Sequence, residues 1–123
     1  MVDDKNYKEK LYQRIYKYAL HIIALSKKLP IDISSQVLIK QLIRSGTSVS
    51  ANLIEAKAAS SKKDYINFYT HALKSANESK LWLSLIRDTV GESNEFTKSL
   101  IKETNEIANI LAASIITMKK NKI

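Results

Sequence analysis

Cysteine is absent from this 123-residue chain, and glycine and proline occur only twice and once. Without cysteine, the chain cannot form a disulfide framework, a Cys-ligated zinc site or a thiol nucleophile. A β-sheet protein of this length needs many more turn residues. The shortage of glycine and proline therefore favours long helices.

The sequence also has no apolar run of the roughly 20 residues that a membrane-spanning helix requires. Its longest apolar patch covers residues 18–25 and contains His21. The first ten residues are polar and of mixed charge, unlike the apolar core of a secretory signal. We therefore expect a cytoplasmic protein that makes no membrane contact.

Positive charge, by contrast, is abundant. Twenty Lys and Arg residues stand against twelve Asp and Glu residues, which leaves a net charge of +8. Such a surplus favours acidic partners such as RNA, DNA or anionic membranes, although it also keeps a protein soluble. Only three of the cations are arginines, and no basic run is interleaved with aromatic residues. Base-specific recognition of a nucleic acid is therefore not expected.

Hydrophobic spacing divides the chain into four helices of similar length. From Leu11 to Leu29 the apolar residues recur at intervals of four and three, and Pro30 ends this first helix. Ser61 begins a near capping box, and Gly91 is predicted as a left-handed C-cap. The predicted helices cover residues 5–29, 35–58, 62–89 and 94–119. Equal lengths and short connections predict an all-α, antiparallel up-down-up-down four-helix bundle, a single domain over residues 1–123.

The second helix carries an inner face that is small and polar in its second half. This predicted face consists of Leu38, Leu42, Ser45, Val49, Asn52 and Ala56. If helices two and three are antiparallel, Arg44 and Glu78 lie at equal height. We predict a polar seam between these helices, formed by Arg44, Asn52, Glu55 and Glu78. Packing and register are the simplest role for such a seam, with ligand binding and subunit contact as alternatives.

Helices two and three have more apolar residues than one bundle core uses. Ile39, Ile43 and Ile54 lie away from the predicted inner face, and the run around Trp82 is apolar on several faces. A helix that is apolar on more than one side is buried on more than one side. We therefore predict a homo-oligomer with these four residues in its interface. Alternatively, Trp82 widens the bundle core.

The residues that enzymes and metal sites need are not arranged for chemistry. The two histidines, His21 and His71, lie far apart in sequence, and neither follows a glutamate at the spacing of a di-iron bundle motif. Two glycines cannot form a phosphate-binding loop. We expect no catalytic residue, no metal site and no cofactor, and therefore a protein that is not an enzyme.

The predicted topology brings both termini and the loop between helices two and three to one end of the bundle, where lysines outnumber acidic residues. Together with a basic stripe on the first helix, they form the candidate nucleic-acid-binding set. Its members are Lys10, Arg14, Lys17, Lys57, Lys62, Lys63, Lys119 and Lys120. We expect electrostatic binding of nucleic acid, structured RNA rather than DNA. Solvation of lysine-rich faces and a scaffold that recruits a partner protein through apolar surfaces are the alternatives.

The centre of the chain resembles a bacterial family signature. Residues 41–55 read QLIRSGTSVSANLIE, and residues 64–68 and 72–78 read DYINF and ALKSANE. These blocks resemble the four-helix-bundle proteins encoded by intervening sequences within 23S ribosomal RNA genes. The Leu29-Pro30 break also matches, whereas Ala56 and Lys74 stand where that family usually has glycine.

The resemblance implies a fold and an assembly. It implies a four-helix bundle that forms a homopentamer around a central axis. It also implies similarity to the accessory proteins of diversity-generating retroelements, which bind nucleic acid and a reverse transcriptase. The motif residues that it carries over are Arg44, Asn52, Glu55 and Glu78, and we expect their role to be mainly structural.

Overall fold

The computed structural model describes residues 4–91 and 94–121, which form four α-helices. They are α1 (Asp4–Ser26), α2 (Ile33–Ala56), α3 (Lys62–Thr89) and α4 (Asn94–Lys120). The predicted all-α fold is confirmed, and α3 has the predicted bounds. Helix α1 ends before residue 29 because the backbone N–H groups of Lys27 and Lys28 bond to carbonyls three residues back, which closes a turn.

Side-chain caps determine where α2 and α3 begin. The carboxylate of Asp32 accepts a hydrogen bond from the Ser35 backbone N–H at 2.8 Å, so α2 begins at Ile33. The Ser61 hydroxyl accepts from the Asp64 backbone N–H at 3.0 Å, as the near capping box predicts.

The end of α3 differs from the prediction. The residue that caps α3 is Val90, whose backbone is extended, with φ −118° and ψ 97°. Neither Gly91 nor any other described glycine has a positive φ. The predicted left-handed cap at Gly91 is wrong because the chain has already left the helical conformation at Val90.

Each helix packs against two others, since α1 and α3 both contact α2 and α4. Residue numbers rise along α2 as they fall along α3: Ser45 bonds to Ser79 at 2.8 Å, and Ser48 accepts from Ser75 at 3.2 Å. The two helices are therefore antiparallel.

The other contacts of α1 follow the same pattern. Its Ile15 carbonyl accepts from the Ser50 hydroxyl of α2 at 3.1 Å. Its Tyr18 hydroxyl bonds to Thr104 of α4 at 2.7 Å, and His21 packs edge-on against Phe96 near the start of α4. Helix α1 therefore runs antiparallel to α4.

The buried face of α2 is rotated from the predicted one. Ile39 and Leu53 are buried, whereas Leu38 and Asn52 are only half-buried. The face is wider than one stripe because α2 packs against both α1 and α3. The prediction that Ile39 lies in a subunit interface is therefore wrong, since 5% of it is exposed and it belongs to the bundle core.

The other three predicted interface residues differ in exposure. Ile43 and Trp82 are half-buried and pack against the core. Ile54 is 55% exposed on α2. Trp82 therefore does widen the core, and its remaining exposed surface is what an interface would use.

Candidate nucleic-acid interface

Four chain segments meet at one end of the bundle: the start of α1, the end of α2, the start of α3 and the end of α4. The Lys8 ammonium of α1 lies 5.1 Å from the ring centroid of Tyr65 in α3. The Lys57 ammonium lies 4.2 Å from the ring centroid of Tyr12. Lys62 and Lys119 line one cleft. We call this end, formed by residues 6–12, 55–69 and 113–121, the terminal pole.

The predicted basic residues fall into two groups. Six of them lie at the terminal pole and are exposed: Lys10, Lys57, Lys62, Lys63, Lys119 and Lys120. The other two, Arg14 and Lys17, lie further along α1, and Lys17 is exposed. In the part of the chain that the structure describes, none of these lysines forms an ion pair. Their charges are therefore available to a ligand.

Arg14 differs from the lysines because its charge is already used. Its guanidinium donates two hydrogen bonds to the Glu103 carboxylate of α4, at 2.8 and 2.7 Å, and lies 3.6 Å from Glu106. The bond to Glu103 raises the pKa of Arg14. Arg14 therefore links α1 to α4, and this bidentate geometry leaves little of its charge for a phosphate.

The acidic residues of the terminal pole do not cancel its lysines. Asp64 is used within its own loop, where its carboxylate accepts from the Ser60 backbone N–H at 3.1 Å. Glu9 and Glu55 are exposed and pair with no described cation. Because seven described lysines, including Lys8, stand at this pole against these three acids, the pole keeps a positive surplus.

Tyrosines gather at the same pole, which the charge pattern of the sequence does not reveal. The rings of Tyr65 and Tyr69 stack with centroids 5.0 Å apart, and their hydroxyls are 3.2 Å apart. Tyr12 lies beside both, and Tyr7 is 51% exposed at the start of α1. The sequence predicts that these segments lie at one end of the bundle. Counting the aromatic residues of that end, as well as its charged residues, would therefore have revealed the cluster.

The hydroxyls of Tyr12 and Tyr69 stay protonated at neutral pH. Burial, with the neighbouring Tyr65 hydroxyl, raises the pKa of Tyr12 to about 12. Burial also raises the pKa of Tyr69. These two hydroxyls are therefore neutral and do not oppose the approach of an anion.

Two adjoining clefts open at the terminal pole. The first, of about 430 Å³, has Tyr7, Lys8 and Tyr65 among its walls. The second, of about 450 Å³, is lined by Lys62, Lys63 and Lys119. Met118 and Asn121 line both clefts, so one is continuous with the other. An aromatic cleft and a basic cleft thus lie side by side.

The polar seam between α2 and α3 forms only in part. The Arg44 guanidinium donates to the Glu78 carboxylate, which also accepts from the Trp82 indole N–H at 2.9 Å. These contacts hold the pKa of Glu78 below its usual value, the hydrogen bond from Arg44 having the largest effect.

The other half of the predicted seam is different. Asn52 donates to the Ser48 carbonyl of its own helix at 2.9 Å, and Glu55 is exposed. Asn52 also donates to the Ser48 hydroxyl at 3.2 Å, and that hydroxyl accepts from Ser75 of α3 at 3.2 Å, so Asn52 reaches the seam through Ser48. The prediction is wrong for Glu55, because its carboxylate faces solvent.

Within residues 4–91 and 94–121, no three His, Asp or Glu side chains lie close enough together to hold a metal ion. None of the helices in these ranges is long and apolar enough to cross a membrane.

Comparison with known proteins connects this bundle to a family. No curated protein matches the sequence. A crystal structure from Bacteroides thetaiotaomicron VPI-5482, of a protein with unknown function from the S23 ribosomal protein family, is 35% identical to the chain with a TM-score of 0.80. The match covers 88% of this chain and 96% of that one. The family model for the 23S rRNA-intervening sequence protein matches residues 8–113. The chain therefore belongs to the 23S rRNA-intervening sequence protein family, as its central blocks predicted.

Proposed function

We propose that this protein is a non-enzymatic homo-oligomer that binds RNA through electrostatic contacts at its terminal pole. The observation that carries the proposal is the group of exposed lysines at this pole that pair with no described carboxylate. Lysines of this kind neutralise phosphates and release condensed counterions, which is the main source of sequence-independent affinity.

RNA is the favoured nucleic acid. The net charge of +8 suits any polyphosphate, and RNA is the nucleic acid that proteins recognise largely by shape and backbone contacts. The lysines stand on helix ends and a loop, not in an ordered recognition helix with arginines, so binding follows charge and shape and not base sequence.

An apolar stripe on α3 supports the oligomer. Leu81, Trp82 and Leu85 share one face of the helix, and Leu81 and Leu85 are exposed. Exposed apolar residues that share one helix face are typical of a protein–protein interface. The family resemblance makes a pentamer the expected assembly, and a symmetric assembly repeats the lysine pole once per subunit.

The test of RNA binding is a salt series on the purified protein, with RNA and DNA strands of equal length. We expect micromolar or tighter binding to RNA near physiological salt, with a logarithmic salt slope of about −0.7 for each phosphate contacted. Lys62→Glu with Lys63→Glu should weaken binding and flatten this slope.

The matched control is Lys27→Glu with Lys40→Glu, which makes the same charge change on exposed lysines outside the terminal pole. If both pairs weaken binding equally, the terminal pole is not the binding surface. If the unmodified protein binds neither RNA nor DNA near physiological salt, the proposal fails.

The assembly is tested separately, by native mass spectrometry of the 13.9 kDa chain. We expect five copies per particle, and Leu81→Asp should release smaller species that remain helical. A monomer at micromolar concentration would overturn the oligomer. In that case, the exposed apolar stripe would instead bind a different protein, as the alternative of a protein-interaction scaffold predicts.

A further inference from the structure

The aromatic cleft at the terminal pole is open to solvent, and packing of the bundle does not account for the exposed tyrosine in its wall. Tyr69 is buried and stacks on Tyr65, so this pair belongs to the packing of α3. Tyr7 is different, because half of its surface is exposed while it lines the same cleft. A ring in that position offers a flat apolar face to a ligand.

The charge beside this ring has the sign that a nucleotide needs. Lys8 lies on the same helix and lines the same cleft, and its ammonium is 5.1 Å from the Tyr65 ring centroid. The adjoining cleft adds Lys62, Lys63 and Lys119. A strand that placed a base against Tyr7 would carry its neighbouring phosphates across these lysines.

The size and walls of the clefts fit the same ligand. Each has a volume of about 430 to 450 Å³, within the range of small-ligand sites. Ala113 and Met118 add apolar surface to the tyrosines, and Asn121 adds an amide. Stacking on an aromatic ring beside a cationic track is how proteins hold single-stranded nucleic acid without reading its sequence.

From this arrangement we infer that the terminal pole binds unpaired RNA, with one base stacked on Tyr7 in the aromatic cleft and the flanking phosphates on Lys8, Lys62, Lys63 and Lys119. This inference rests on the proposed function and adds to it: electrostatic contacts alone would accept a duplex, whereas a stacked base must be unpaired. The specificity is for strandedness, because every base has a stacking face.

The experiment compares two strands of equal charge by fluorescence anisotropy at one salt concentration. One is a 12-nucleotide oligouridylate, and the other is an abasic strand with the same number of phosphates. We expect the oligouridylate to bind at least about fivefold more tightly, the effect of stacking a single base. Tyr7→Ala should abolish this preference, and Tyr7→Phe should keep it because the ring remains.

The control variant is Tyr16→Ala, which removes a tyrosine from the same helix that is 65% exposed and lines neither cleft. It should leave the preference intact. Tyr7→Ala should also leave the affinity for a 12-base-pair RNA duplex unchanged, since paired bases cannot enter the cleft. Circular dichroism of each variant checks that the helices are retained.

The outcomes separate the two proposals. If the oligouridylate and abasic strands bind equally with a steep salt dependence, the stacking site is wrong while RNA binding stands. If neither strand binds, both proposals fail. If a 12-residue oligo-aspartate binds as tightly as the oligouridylate, the pole recognises acidic chains in general and the nucleotide site is overturned.

Discussion

Arg44 and Glu78 join α2 to α3 through a carboxylate that also accepts the indole N–H of Trp82. The sequence predicts that the two charged side chains lie at equal height in an antiparallel pair, and they do lie in contact. Neither side chain is buried: 57% of the Arg44 side chain and 36% of the Glu78 side chain are exposed to solvent. The pair therefore marks the register of α2 and α3 at the surface and is not part of the core.

The exposure of this pair predicts a small contribution to stability. We expect Arg44→Met to lower the free energy of unfolding by about 1 kcal/mol or less, because solvent screens an exposed ion pair. A double-mutant cycle with Glu78→Leu, followed by urea denaturation, measures the coupling. A coupling of several kcal/mol would contradict this prediction, because it would mean that the pair is shielded from solvent.

Ile39 is predicted to behave as a core residue and Ile54 as a surface residue. Ile39→Ala should cost about 2–5 kcal/mol of unfolding free energy because it opens a cavity between helices. Ile54→Ala should change it by about 0.5 kcal/mol or less, since more than half of that side chain is exposed. Denaturation midpoints of the two variants provide the comparison, and equal losses would contradict this assignment.

Gly46 is expected to resist substitution because α1 passes close to it. A Cβ atom at this position would lie 3.1 Å from Cγ1 of Ile22, which is tighter than ordinary packing. Gly46→Ala should therefore lower stability by about 1 kcal/mol, since overpacking outweighs the gain in helix propensity. Gly91→Ala is the control, because a Cβ atom there would meet no atom within 4 Å and the φ of Gly91 is not positive.

The coupling of Gly46 to Ile22 has its own measurement. Ile22→Val removes the Cδ1 atom that would lie 3.3 Å from the new methyl group. Its cost should therefore be smaller in the Gly46→Ala background than in the unmodified protein, by thermal or urea denaturation. Additive costs would show that the two positions do not compete for space.

Tyr18 is predicted to make stability fall at high pH. Burial raises the pKa of Tyr18 to about 12, from 10.0. Between these pH values the unfolded chain loses this proton while the folded chain keeps it, so stability is complete below pH 10 and is lost as the pH rises towards 12. The loss from this one group is about 3 kcal/mol at most.

Tyr18→Phe provides the control for this pH dependence. The variant lacks the titrating group, so its free energy of unfolding should fall less steeply between about pH 10 and 12 than that of the unmodified protein. Urea denaturation at a series of pH values measures both slopes, and the other tyrosines and lysines cancel in the difference. Identical slopes would mean that the hydroxyl of Tyr18 is accessible to solvent.

The sequence by itself determined the number of helices, their order and most of their bounds. Apolar spacing, Pro30 and the Ser61 cap are local signals, because backbone hydrogen bonds and caps act within a few residues. For the same reason, α3 has the predicted bounds at Lys62 and Thr89. The central blocks of the chain also identified the family, and equal helices with short loops determined the bundle.

Only the tertiary structure decided which side chains meet. Ile39 is buried because α1 and α3 pack against adjacent sides of α2. The spacing of apolar residues along α2 alone does not show where its two neighbours lie. The pairing of Arg14 with Glu103 joins residues 89 positions apart, and it removes one cation from the predicted basic set. The aromatic cleft of the terminal pole also depends on helix packing. Tyr7 and Tyr65 lie far apart in sequence and line one cleft only when the four helices pack into the bundle.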